Sequence, residues 1–375
     1  MRIAQVAPLY ERVPPKWYGG TERVVSYLTE ELVRQGHDVT LFASGDSVTS
    51  ARLVAPCRQA LRLDHSCIDP LAHHILMLDQ VRRVADEFDI LHFHIDYLHF
   101  PLSRCERWPH ITTLHGRLDL PDLIPLYEEF REMPLVSISD AQRAPLPWVR
   151  WCGTVHHGLP EDLYSFHEGP GQYLAFLGRV SPEKRVDRAI EIAQRLDLPL
   201  KIAAKVDKVD REYFEAVVRP RLDDPRVEFI GEIGEDQKNE FLGNALAVLF
   251  PIDWPEPFGM VMIEAMACGT PVVAYRNGSV PEVMEDGVTG FIVSSIEEAV
   301  EATRRVEQLS RRRVREVFER RFTATRMARD YLAVYETILE SRGPIRSDTV
   351  TLPDLAGASW TDGPTRSWPN LRARC

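Results

Sequence analysis

Apolar residues along this chain fall in short runs that alternate with helical stripes. Ile3 to Ala7 is a mostly apolar run, the pattern of a strand buried on both faces. A loop rich in proline and aromatic residues comes next and closes on Trp17-Tyr18-Gly19-Gly20. Thr21 stands where an N-cap is expected. Val24, Val25, Leu28 and Leu32 then recur at helical spacing up to Gly36, a C-terminal stop. Asp38 to Ala43 predicts a second strand, and Ala72 to Phe88 a helix. Ile90 to Phe93, Ile111 to Leu114 and Leu135 to Ile138 predict three further strands. They run into His94-Ile95-Asp96, His115-Gly116 and Ser139-Asp140. Thr154 to His157, with Gly158-Leu159-Pro160, closes this half of the chain.

The alternation restarts at Tyr173 to Leu177 and continues through Ile190, Ile202, Phe229, Leu249 and Val273. Strand, helix, strand in repeated succession predicts two Rossmann-like α/β domains with parallel sheets. The glycine fingerprint Gly-x-Gly-x-x-Gly of a dinucleotide fold is missing from the first unit. Expected boundaries are 1–162 for the first domain, 163–322 for the second and 323–342 for a last helix. A tail of Pro, Gly, Ser, Thr and Arg, 343–375, completes the chain. Met327, Tyr331, Val334, Tyr335 and Ile338 mark the apolar stripe of that last helix.

The length of 375 residues suits two such domains. The net charge of −11 argues against nucleic acid as a principal partner. Six scattered cysteines without Cys-x-x-Cys suggest neither a disulfide framework nor a thiolate zinc site, as in a reducing, cytoplasmic setting. The chain opens directly in a strand, so no signal peptide is expected. No apolar run approaches the ~20 residues of a membrane span.

Ligands of open parallel sheets sit outside the carboxyl ends of the strands, so residues at loop starts are the candidates. The strand Ala247 to Phe250 leads into Pro255-Glu256-Pro257-Phe258-Gly259-Met260-Val261-Met262-Ile263-Glu264. Glu256 falls in the loop and Glu264 inside the next helix. Gly259 offers bare backbone at that helix's N-terminus, where an anion meets unpaired N–H groups. Two carboxylates around such a site suit a ligand with phosphates and hydroxyls. Arg179 and Lys184 stand at another strand–loop–helix junction and suit a diphosphate, or form a solvated basic turn. Gly19 and Gly20 permit close approach of backbone to a ligand, or form a plain tight turn. The pairs His73-His74 and His156-His157 lack a third metal ligand and read as structural.

The Glu256–Glu264 stretch resembles the signature of retaining glycosyltransferases of family 4, which have the GT-B fold. The next segments resemble the rest of that family's C-terminal pattern: Gly269-Thr270-Pro271-Val272-Val273-Ala274, Pro281-Glu282-Val283 and Asp286-Gly287-Val288-Thr289-Gly290-Phe291. The resemblance runs from Met1 to about Glu340. It implies a donor site of Gly19, Gly20, Arg179, Lys184, Ile233, Glu256, Phe258, Gly259, Met260, Val261 and Glu264. Within it, Arg179 and Lys184 would neutralise the leaving diphosphate and Glu256 would face the transferred sugar. Glu264 would hold the ribose, and backbone near Ile233 the base. His115 would hydrogen-bond the sugar or the reacting face, and His94 and Asp96 would face the acceptor. No Asp-x-Asp occurs. The metal signature of the other large glycosyltransferase fold is thus missing, and neither metal nor cofactor is expected. A looser resemblance of the N-terminal portion is to bacterial UDP-glucose:tetrahydrobiopterin glucosyltransferase-like proteins. The expected activity is transfer of a hexose, glucose from a UDP-sugar, to a pterin or a cell-envelope component. The alternatives are a GT-B epimerase or phosphorylase, and a nucleotide-sugar-binding module without catalysis. Peripheral contact with a membrane and the oligomeric state are left open.

Overall fold

The apolar runs pair into two parallel sheets in the computed structural model, which describes residues 1–17 and 19–341. Tyr18 and the expected tail 343–375 lie outside the described residues. In the first sheet the strands are β1 (Arg2–Val6), β2 (Asp38–Phe42), β3 (Arg52–Val54), β4 (Ile90–Phe93), β5 (His110–Thr113), β6 (Leu135–Ser137) and β7 (Trp151–Thr154). Their order is β3-β2-β1-β4-β5-β6-β7. In the second they are β8 (Tyr173–Arg179), β9 (Leu200–Lys205), β10 (Val227–Gly231), β11 (Ala245–Phe250), β12 (Val272–Tyr275) and β13 (Gly290–Val293). Their order is β10-β9-β8-β11-β12-β13. Both are open, doubly wound α/β sheets, and in both the order reverses beside the first strand, between β1 and β4 and between β8 and β11.

The continuous apolar character of β1 comes from cover on both faces. Ile3, Ala4, Gln5 and Val6 are all fully buried. Gln5 is the polar exception, and its partners belong to the cleft wall. The short strand β3 is not expected from the sequence: a three-residue edge strand beginning with Arg52 carries almost no apolar signal.

Two helix starts differ from expectation. The first helix is Gly20–Arg34, with Gly19 rather than Thr21 at the N-cap and no side-chain cap. Gly19 has φ 153°, and a Cβ there would lie 2.8 Å from the Pro15 side chain, so the turn is set by the missing side chain. The helix expected over 72–88 is Pro70–Val84. Asp69 caps it by accepting from Leu71 and Ala72, and Pro70 needs no donor at its position.

The last helix, Ala324–Glu340, packs on Gly20–Arg34 and on β5. The chain enters it through a bridge at Leu159, whose N–H donates to Phe322 and whose carbonyl accepts from Ala324. Its buried stripe is the expected one, Met327, Tyr331, Val334, Tyr335 and Ile338. Among the described residues no helix is long and apolar enough to cross a membrane.

Candidate active site

Loops from both switch points face each other across a cleft of about 680 Å³. The first sheet contributes the segments after β1, β4, β5 and β6. The second contributes the end of β8 and the loop after β11. Of the expected site residues, Gly19, Gly20, His94, Asp96, His115, Arg179, Lys184, Glu256, Phe258, Gly259, Met260 and Val261 line it. His74 and His157, expected to be structural, line it too.

Glu256 is held by two donors. Its Oε2 accepts from the Trp254 indole N–H at 3.0 Å and from Lys184 Nζ. The loop around it is fixed from both sheets. Ser279 donates through its N–H to Glu256 O and through its hydroxyl to Phe258 O, at 3.0 and 2.8 Å. Ser139, after β6, donates to Pro257 O at 2.6 Å. Gly278 makes the close approach possible: a Cβ there would lie 2.3 Å from Glu256 O, at φ 54°. Lys184 Nζ also stands 5.0 Å from the Trp254 ring centroid, on its electron-rich face.

Arg179, at the end of β8, sits among three carboxylates: Glu183 and Asp210 at 3.3 Å and Asp207 at 4.0 Å. The helix Met260–Ala267 begins at Gly259, which has φ 81°. The leading amides of a helix have no intrahelical acceptors, and here they open on the cleft near Lys184 and Arg179.

On the opposite wall a hydrogen-bonded chain fixes the histidines. The Tyr335 hydroxyl donates to His92 Nδ1 at 2.8 Å and accepts from the Gln5 amide at 3.1 Å. Gln5 Oε1 then accepts from His94 Nε2 at 2.8 Å. His94 is neutral, since burial holds its pKa well below the usual value. Its Nδ1 therefore carries a lone pair and accepts from His115 Nε2 at 2.9 Å. Burial also pulls His115 down to about 3, so it stays neutral, with an unprotonated Nδ1 that has no partner among the described residues. The chain leaves His115 one unpaired acceptor, the buried Nδ1.

Asp96 has φ 50°, a left-handed conformation uncommon for a side-chain-bearing residue. Asp96 is exposed to the open cleft, and the protein atoms crowded around it raise its carboxyl to about 6 by partial desolvation. Glu22, in the first turn of the helix Gly20–Arg34, is 6% exposed and pushed up to about 7, mainly by burial.

Glu264 and Ile233 do not line this cleft. Glu264 is buried, and Lys238 Nζ donates to its Oε1 at 2.8 Å. Lys238 also pairs with Glu235 at 3.4 Å, and Glu235 takes Arg23 and Tyr164. Arg23 comes from the first half of the chain and also donates to Trp17 O at 2.7 Å. Side chains thus fill the surroundings of Glu264. Sequence reasoning misses Trp254, Gly278, Glu22 and the Gln5–His92–Tyr335 chain. The one signal available is Gln5, a polar residue inside an apolar strand.

The chain matches two family models, Glycosyltransferase Family 4 over residues 18–158 and Glycosyl transferases group 1 over residues 165–321. Alpha-maltose-1-phosphate synthase of Mycolicibacterium smegmatis is 34% identical over 339 residues, covering 78% of this chain and 84% of that protein. Phosphatidyl-myo-inositol mannosyltransferase of Mycobacterium leprae is 25% identical over 386 residues, covering 92% and 99%. The solved structure of Anabaena HepE in complex with UDP and glucose is similar at TM-score 0.70 and 17% identity, over 90% of this chain and all of that one. With two parallel-sheet halves, a shared cleft and both family models in place, the chain belongs to the family 4 glycosyltransferases and has their GT-B fold.

Proposed function

We propose that this glycosyltransferase moves a hexose, glucose, from a UDP-sugar to an acceptor held against the first sheet, with retention of anomeric configuration and without a metal ion. The observation that carries the reading is the wall formed by Arg179, the Lys184–Glu256 pair and the amides at Gly259 to Val261. Cations and helix amides suit a diphosphate, and a carboxylate beside them suits sugar hydroxyls. The HepE neighbour holds UDP and glucose, which supports the choice of donor. An epimerase, a phosphorylase or a non-catalytic module is not favoured, since the two relatives are a synthase and a mannosyltransferase by name.

In the proposed reaction the acceptor oxygen bonds to the anomeric carbon as the bond from that carbon to the diphosphate breaks. The acceptor's proton passes to the departing phosphate oxygen on the same face. Arg179, Lys184 and the leading helix amides meet the charge that builds on the phosphates. Glu256 orients the sugar, and His115 stands beside the sugar or the reacting face, hydrogen-bonding a hydroxyl only after a ring movement exposes its buried Nδ1. Asp96 forms the acceptor side, while His94, both of whose ring nitrogens are taken by Gln5 and His115, positions His115 rather than touching the acceptor. Glu264 takes the ribose hydroxyls once Lys238 releases it, with the base near Ile233. The acceptor is a pterin or a cell-envelope component; the pterin resemblance has no counterpart in the names of those two relatives. The work is placed in the cytoplasm, where nucleotide sugars are made.

The test is incubation with UDP-glucose and cell extract, with and without EDTA, following UDP release and product mass. UDP release with a hexose-sized mass gain is expected in both. No turnover of UDP-, GDP- or ADP-sugars would overturn the reading, and loss in EDTA with rescue by Mg²⁺ would overturn its metal-free form.

A further inference from the structure

The three carboxylates around Arg179 do not stand alike toward the cleft. Asp207 and Asp210 lie outside its lining, whereas Glu183 is part of it. A diphosphate that reaches Arg179 from the cleft therefore meets Glu183 first. Two anions then compete for one guanidinium, and the carboxylate has to yield for the phosphates to settle.

Glu183 already touches a second cation. Its Oε2 accepts from Arg179 Nη2 at 3.3 Å, and its Oε1 accepts from Arg117 Nη1 at 3.4 Å. Arg117 belongs to the first half of the chain and follows His115 and Gly116. Asp119 takes the other edge of its guanidinium, accepting from Nε at 2.6 Å and from Nη2 at 2.7 Å, so Nη1 is the nitrogen turned to Glu183. The same guanidinium stands 5.7 Å from the Trp254 ring, whose indole N–H holds Glu256. The loop behind Arg117 is tied down. Gln142, itself buried, donates to Leu114 O at 2.9 Å and to Gly116 O at 2.8 Å, on either side of His115. A pull on Arg117 is thus passed to the first-sheet wall and not absorbed by a loose loop.

We infer that Arg117 is a positioning residue that couples donor occupancy to the first-sheet wall: as a diphosphate takes Arg179, the Glu183 carboxylate passes from Arg179 to Arg117 and draws His115 toward the donor sugar. One ion pair is exchanged for another, and the charge that the donor brings drives the exchange. The ligand shifts the pairing because it binds better when Glu183 has left Arg179. This rests on the proposed assignment of Arg179 to the diphosphate.

The experiment is a double-mutant cycle on UDP binding, read by calorimetric titration of the whole chain. The variants are Arg117→Ala, Glu183→Gln and the two combined. Both side chains are partly exposed, so all three are expected to melt close to the parent. UDP is titrated into the parent first, and failure to bind overturns the proposed function and the inference with it. Arg117→Ala is expected to weaken UDP by about two- to fivefold, the range of a partly exposed ion pair. In the Glu183→Gln background the same substitution should leave UDP affinity where it was, since no carboxylate remains to be handed over. Transfer assays should show kcat falling in each single variant and no further in the combined one. Arg117→Lys, which keeps the charge, should recover part of the loss. An equal effect of Arg117→Ala in both backgrounds overturns the inference, because a residue with a purely structural role acts alike in both. So does an Arg117→Ala chain with the parent's UDP affinity, or a Glu183→Gln chain with the parent's kcat.

Discussion

Lys184 donates to Glu256 Oε2, so the cation assigned to the diphosphate and the carboxylate assigned to the sugar neutralise each other across the cleft floor. Donor binding redistributes this pair: the ammonium turns to phosphate and the carboxylate to hydroxyls. Lys184→Ala should therefore lower kcat by about a hundredfold or more, the scale of losing one preorganised stabilising group. Glu256→Gln should reduce turnover more than UDP affinity. Steady-state rates beside UDP titrations check both, and a Glu256→Gln chain with normal turnover and weak UDP binding contradicts the assignment.

UDP should raise the melting temperature. At a hundredfold excess over its dissociation constant the linkage gain is about 2.7 kcal/mol. Glu264→Ala should weaken UDP by about one to two decades, the loss of a charged hydrogen bond of ~1.5–3 kcal/mol. Melting scans with UDP, GDP and ADP read the first, and titration of the variant reads the second. Unchanged affinity in Glu264→Ala would remove that residue from the ribose.

Asp96 gives the pH dependence a sign. Its carboxyl is raised to about 6 and its proposed work needs the ionised form, so transfer should fall as pH drops through about 6. Binding of UDP-glucose, whose diphosphate is a diester, should change little over the same range. For stability the direction is opposite: a carboxyl raised in the folded state favours folding while protonated. That contribution fades as pH rises from the ordinary aspartate value to about 6. Because Asp96 is exposed to the open cleft, this contribution is small, and Asp96→Asn should melt no lower than the parent at pH 8 yet transfer poorly.

The Tyr335 hydroxyl orients Gln5, and through Gln5 the lone pair on His115. Tyr335→Phe leaves a buried His92 nitrogen and the Gln5 amide without their partner, a loss of about 1–3 kcal/mol in stability. Gln5 then has nothing to hold its amide one way round. A fall in kcat with unchanged UDP affinity is expected. Equal kcat would show that the last helix does not reach the chemistry.

The buried strands are legible in the sequence because each carries a continuous apolar run, and Ile90–Phe93 is legible to the residue. Loop starts such as Asp96, His115 and Arg179 can be placed at the cleft, since strand ends face it. The start of the first helix misleads because Thr21 has the chemistry of a cap, whereas a steric demand at Gly19 decides the turn. Glu22, on a helix and charged, has the pattern of a solvated residue; burial by distant elements makes it part of the wall. The Gln5–His94–His115 chain joins residues far apart in sequence, and no local pattern announces such a chain.

Arg23 and Trp17 belong to the first half of the chain, yet they rest against Glu235 and Gly234 in the second, beside the Lys238–Glu264 pair. On the proposed assignment, the place where the two halves clasp is also the place where the nucleoside sits. The spent nucleotide then cannot slide out along the cleft; it leaves when the clasp lets go. Turnover becomes a matter of traffic as much as of chemistry, set by how often Arg23 and Glu235 part. The rate should accordingly slow with solvent viscosity, and Arg23→Ala should relieve that dependence.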